Sequence, residues 1–154
     1  MRSRRLITAL VLATLCACND NYVSSIPDTS VYLNLNIMLD SDYFTFYNAP
    51  GSYLTFTLEN SAARPVTWRL GYGGLLLVHT LAGEFHAFDM ACPKEAKRTV
   101  CVTVEDAMFA TCASCGERYD LSSGIGNPTR RIGTENLRPY RTRVSGNYLT
   151  VTRD

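Results

Sequence analysis

Residues 99–120 read TVCVTVEDAMFATCASCGERYD. Val100, Val102 and Val104 alternate with Thr99, Cys101 and Thr103, the two-residue period of a half-buried strand. Glu105 and Asp106 turn the chain, residues 107–111 return as a second strand, and residues 117–121 give a third. Between the last two lies Cys112-Ala113-Ser114-Cys115-Gly116, a pair of cysteines on a tight loop. Two such thiols can bind one metal ion, form a redox disulfide or do neither.

The same period recurs on both sides of this stretch. Val31, Leu33, Leu35, Ile37 and Leu39 alternate with Tyr32, Asn34, Asn36 and Met38, predicting one strand. Leu54, Phe56 and Leu58 predict another after the Pro50-Gly51 turn. Leu75-Leu76-Leu77-Val78 reads as a strand buried on both faces, and residues 84–88 return from the Ala82-Gly83 turn. A last hairpin is predicted from residues 141–144 and 148–152 around Ser145-Gly146-Asn147. Residues 122–136 read as a long loop, and no helical period of useful length is found in the mature chain. The class is therefore all-β, a small antiparallel β-sandwich or barrel with two cysteine-bearing loops. At 154 residues the chain has room for one such domain.

The amino terminus reads as an address. Arg2, Arg4 and Arg5 precede an apolar run over residues 6–15, which has the pattern of a signal peptide. As a helix that run rises about 15 Å, half of what a bilayer core requires. It ends Leu15-Cys16-Ala17-Cys18, which resembles a bacterial lipoprotein lipobox with Cys18 as the acylated residue. The expected division is a signal peptide over 1–17, a lipid-anchored tether over 18–30, an N-terminal strand extension over 31–65 and the main domain over 66–154. Loss of the three arginines takes the formal charge from +1 to −2. A nucleic-acid partner is therefore not expected. Of six cysteines, Cys16 leaves with the leader and Cys18 becomes the anchor; Cys92, Cys101, Cys112 and Cys115 remain.

Residues 83–93, GEFHAFDMACP, look like the strand and first cluster loop of Rieske iron–sulfur domains. Residues 112–120 look like the second loop and the strand after it. Residues 124–128 are similar to the Pro-bearing third loop, and Leu137-Arg138-Pro139-Tyr140 with residues 144–152 to the closing hairpin. The resemblance spans about residues 66–154 and implies electron transfer through a [2Fe–2S] cluster held by C-x-H and C-x-x-H. Cys92 and Cys112 stand at the two cysteine positions. Lys94 and Cys115 stand where the two histidines would be. A protonated lysine has no lone pair for a metal, whereas a cysteine ligates as thiolate. The resemblance also implies that the hydroxyl of Tyr119 lies near cluster sulfur.

The matched positions thus supply three ligands, Cys92, Cys112 and Cys115. Cys101 would be a fourth, but its period places it opposite the valine face in mid-strand. Four thiolates could hold zinc or a ferredoxin-like [2Fe–2S] cluster. The alternative is a fold that has lost its cluster, with Cys92–Cys112 or Cys112–Cys115 as a disulfide. His79 and His86 read as ordinary strand histidines. The expectation is a lipoprotein of a Gram-negative, Bacteroidota-like cell envelope. Its roles are a Rieske-like iron–sulfur or metal centre serving electron transfer or redox sensing, or else a cluster-free binding or structural module. Its partners are the membrane, through the anchor, and an unknown redox or binding protein. Catalysis by the chain alone is not expected.

Overall fold

The computed structural model describes residues 24–59, 65–106, 108–133 and 135–153. The decisive element is the run Leu75-Leu76-Leu77-Val78. It forms the middle of strand β4 (Leu75–His79), in which every residue is buried. Alternate side chains enter two separate cores. Leu75 and Leu77 join Leu33, Leu35, Phe46, Leu149 and Val151 in one. Leu76 and Val78 join Phe88, Met90, Cys92, Cys112 and Tyr119 in the other. The neighbouring strand β5 (Phe85–Asp89) divides in the same way, with Ala87 in the first core and Phe88 in the second.

Around this pair a seven-stranded antiparallel sheet curls into an incomplete barrel. Its strand order is β2 (Ser52–Phe56), β4, β5, β10 (Pro139–Ser145), β11 (Tyr148–Thr152), β1 (Val31–Asn36) and β3 (Arg69–Leu70). The stretch expected as an N-terminal extension is thus woven in. Leu33 faces Val151 across β1 and β11, and Leu54 faces Leu77 across β2 and β4. A second sheet, of β6 (Val102–Asp106), β7 (Phe109–Cys112), β8 (Arg118–Asp120) and β9 (Asn127–Pro128), closes over the other core. The class is all-β, with the two cysteine loops at the second sheet.

Three expectations differ from the structure. The strand expected over 31–39 stops at Asn36, whose side-chain oxygen accepts from the Met38 N–H at 3.0 Å while its carbonyl accepts from Leu39. Such an Asx turn satisfies the backbone locally and ends pairing. A helix, α1 (Ser41–Asn48), was not anticipated. Asp40 caps it by accepting from the Asp42 N–H, and its buried Phe46 packs on Phe85 with ring centroids 5.6 Å apart. Tyr43, Phe46 and Tyr47 have helical spacing, but two turns of aromatic residues also suit a strand. The third difference concerns the tether. From Ser24 onward the chain is fastened to the domain, with Ile26 buried and its carbonyl accepting from Arg138 at 2.7 Å. Asp28 pairs with Arg138 at 2.8 Å and also with Arg153. Residues 1–23, with the leader and Cys18, lie outside the described residues. Among those described, no helix is long and apolar enough to cross a membrane.

Because Leu77 is wholly enclosed between β2 and β5, Leu77→Ala should cost about 2–5 kcal/mol of stability. Tyr53→Ala, on the exposed face of β2, should cost about 0.5 kcal/mol or less. Urea unfolding of the two variants checks the difference.

Candidate metal centre

Strand β5 delivers the first cysteine loop, and the hinge is a buried carboxylate. Asp89 Oδ2 accepts from the Tyr72 N–H and the Tyr140 hydroxyl, each at 2.7 Å. Its Oδ1 accepts from the N–H groups of Gly73 at 2.9 Å and Ala91 at 2.8 Å. Four donors compensate the burial of the charge. Burial and the adjacent Asp89 charge push the Tyr140 hydroxyl well above its ordinary range. Gly73 permits the close approach, since a Cβ there would stand 2.6 Å from the Ala91 nitrogen. At Cys92, the residue after Ala91, the loop closes on itself. The Cys92 N–H donates to the Val100 carbonyl, and the Cys92 carbonyl accepts from Ala96, both at 2.9 Å.

The second loop is a tight turn between β7 and β8. The Gly116 N–H donates to the Cys112 carbonyl at 2.8 Å, and the Cys112 N–H to Glu117 at 2.9 Å. Gly116 takes φ 73°, in the left-handed region where glycine carries no Cβ penalty. Glu117, fully buried, organises the third loop. Its Oε1 accepts from the N–H groups of Arg118 at 3.0 Å and Arg130 at 2.8 Å. Its Oε2 accepts from Ile132 at 2.5 Å and Gly133 at 2.8 Å. Burial pushes this carboxyl up, but the four N–H donors outweigh it and hold the group below the usual range.

These loops bring three sulfurs together. The Sγ atoms of Cys92, Cys112 and Cys115 all lie within 4.8 Å of one another, the first two residues buried and the third half-buried. Cys92 Sγ stands 3.7 Å from Cys115 Sγ and 3.5 Å from the Tyr119 hydroxyl. The three are free thiols. Burial pushes the Cys92 thiol up, but hydrogen bonds from Tyr119, the Glu95 backbone and the other two thiols leave it below its ordinary value. Burial dominates at Cys112, pushing it up to about 11. Tyr119 is raised by burial and by its bond to Cys92. Cys92 therefore becomes a thiolate before Cys112 does, stabilised by a phenol that stays protonated.

The other candidates lie elsewhere. Cys101 Sγ donates to the Gly73 carbonyl at 3.2 Å, and burial, Asp89 and Glu59 raise its thiol. It is not among the three converging sulfurs. Lys94 is exposed beside Gly133 of the third loop. His79 is held through Nδ1 by the Phe46 carbonyl at 3.0 Å, and His86 lies near Glu84 and Gly124. Neither histidine is in the sulfur group. The described residues therefore do not supply the two-cysteine, two-histidine set of a Rieske cluster. A two-iron cluster spreads its ligands over two metal atoms, whereas these three sulfurs all lie within 4.8 Å of one another. They fit a single ion: thiolates about 2.3 Å from a tetrahedral centre stand about 3.8 Å apart. Asp89 and Glu117, which place the loops, carried no signal in the sequence, because their partners are backbone groups from distant segments.

No protein-family model matches the chain, and no curated protein does. Among the solved structures that overlap it loosely are the following three. A complex of reduced oxygenase and oxidized ferredoxin in carbazole 1,9a-dioxygenase gives a TM-score of 0.44 at 16% identity, covering 67% of this chain and 90% of the other. A protein described as an NADH-dependent nitrite reductase small subunit from Mycobacterium tuberculosis gives 0.44 at 15% identity, over 82% and 98%. The ferredoxin of carbazole 1,9a-dioxygenase from Nocardioides aromaticivorans IC177 gives 0.41 at 17%, over 69% and 88%. The functional reading rests on the chain's own residues.

The depressed Glu117 carboxyl stabilises the fold above the unfolded-state value of about 4.3 and stops doing so as pH falls through its lower folded value. Stability of the metal-free protein should therefore fall on acidification below about pH 4.3. Glu117→Gln should be less stable at pH 7 and should show a flatter acid limb in urea titrations at stepped pH.

Proposed function

We propose that this chain is a Rieske-like metal-binding lipoprotein in which Cys92, Cys112 and Cys115 hold one iron ion for electron transfer or redox sensing. The observation that carries the reading is the convergence of three sulfurs within 4.8 Å beneath two opposed loops. The loop sequences around Cys92 and Cys112 resemble Rieske loops, and the β-architecture agrees with that resemblance. A thiolate-bound iron supplies one-electron chemistry. Around it, Tyr119 donates a hydrogen bond to the Cys92 sulfur, a contact of the kind that tunes metal–thiolate potentials. Asp89 and Glu117 fix the loops. Of the three residues that would hold the ion, Cys115 is the half-buried one.

A second reading has its own observation. Cys92 and Cys115, 3.7 Å apart between sulfurs, are poised as a thiol–disulfide pair. This differs from the Cys92–Cys112 and Cys112–Cys115 pairings expected from sequence.

The signal pattern and Cys18 support anchoring to a Gram-negative cell envelope, with the redox or binding partner a separate protein. In this reading the chain serves as a carrier or sensor, and any catalysis belongs to its partner.

Anaerobic purification followed by metal analysis, visible absorption and EPR tests the reading. Iron near one equivalent per chain with sulfur-to-iron absorption is expected. Cys92→Ser, Cys112→Ser and Cys115→Ser should each lose most of it, and Cys101→Ser should keep it. Colourless zinc at the same residues would replace the redox role with a structural one. Absence of metal together with a mapped Cys92–Cys115 disulfide would establish the second reading instead.

A further inference from the structure

The loops that carry the sulfurs share an exposed rim of one sign. In residues 93–98, 113–116 and 129–133 the exposed charged residues are Lys94, Lys97, Arg98, Arg130 and Arg131. The acids of the same region are covered or engaged, the exposed Glu105 being paired with Arg118 at 3.0 Å. Glu117 is buried on four backbone N–H groups, Glu95 is half-buried, and the half-buried Glu135 accepts from the Ser24 hydroxyl and the Ser25 N–H at 2.8 Å each. Among these cations stands an apolar side chain, Ile132, 43% exposed. It lies over the second cysteine loop, 3.8 Å from where a Cβ on Gly116 would be, and Arg130 donates to the Gly116 carbonyl at 3.0 Å.

The chain enters the domain at this same end. The Ser25 hydroxyl donates to the carbonyl of Pro93, the residue after Cys92, at 2.6 Å. Ser24 is six residues from Cys18, a reach of about 20 Å at full extension. An acylated Cys18 therefore holds the cysteine-bearing end within that distance of the bilayer.

We infer that this end of the domain lies against an anionic membrane surface, with Lys94, Arg130 and Arg131 at the headgroups and Ile132 at the boundary of the acyl chains. The inference rests on the anchoring proposed above. Anionic lipid is the occupant that charge complementarity and the short lead from Cys18 both select. The thiolate site then meets partners that are themselves at the membrane surface, and Cys115, the half-buried sulfur, faces that layer.

Tryptophan fluorescence in vesicles with brominated acyl chains tests it. The chain has a single tryptophan, Trp68, which packs with the barrel core and not with the cysteine loops. The acylated protein and its Ile132→Trp variant are reconstituted in phosphatidylcholine with and without phosphatidylglycerol. The expected result is that the emission added by Ile132→Trp is blue-shifted and quenched when phosphatidylglycerol is present, while Trp68 is not quenched. If the protein floats with the vesicles but the added emission is unquenched, the orientation is overturned and the anchoring stands. If the acylation-competent chain does not float, the anchoring is overturned and this orientation with it. In a Cys18→Ser chain only the face can bind. There, Arg130→Gln with Arg131→Gln should weaken partition onto phosphatidylglycerol vesicles by about 30-fold, each basic side chain contributing about 1 kcal/mol. Equal partition of the two chains would contradict the role given to the cations.

Discussion

Burial of β4 and β5 on both faces is the constraint on which the molecule depends. A strand with one wet face supports one core; here the alternate side chains of Leu75–His79 supply two. The barrel core takes Leu75 and Leu77, and the core beneath the second sheet takes Leu76 and Val78. The second sheet is small, four short strands, and would be marginal alone. Docked on the far side of β4 and β5 it becomes part of a continuous interior. The cysteine loops are the places where that interior reaches the surface, which explains why two of the three sulfurs are buried and the third is half-buried.

Two buried carboxylates convert this packing into a positioned site. Asp89 ties the exit of β5 to the β3–β4 connection and to Tyr140 of β10. Glu117 ties the second loop to the third. Each carries four hydrogen bonds, so each charge is held where removing it would orphan several donors. The sulfurs therefore converge because the loops around them are fixed, and the asymmetry between them follows from their surroundings. Cys92 receives the Tyr119 hydroxyl and a backbone N–H, which favour its thiolate; Cys112 is raised by burial and by the neighbouring thiols and keeps its proton.

Much of this was legible in the sequence. The period of two that begins at Val31, the unbroken run at Leu75–Val78 and the hairpin around Ser145-Gly146-Asn147 all mark strands that formed. These signals are local, and each element forms where its own residues direct. The loops with Cys92, Cys112 and Cys115 were visible as chemistry, and Cys101 was visible as a thiol facing another way. The helix at Ser41–Asn48 was not, because its two aromatic turns are stabilised by Phe85 and His79, residues from distant strands of the sheet. Nor were the roles of Asp89 and Glu117, whose partners are backbone amides of segments that only folding brings together. The clasp of residues 24–28 on Pro93, Glu135 and Arg138 escaped for the same reason, since a polar stretch with a proline reads as a linker until its partners are known.

The central claim is that three sulfurs of this chain surround one metal ion. X-ray absorption on the anaerobically purified protein measures that shell directly. A single metal with three sulfur scatterers at about 2.3 Å and no neighbouring metal atom is the predicted result. A metal–metal vector, a shell containing histidine nitrogen, or protein that binds no metal with all three thiols reduced would contradict it.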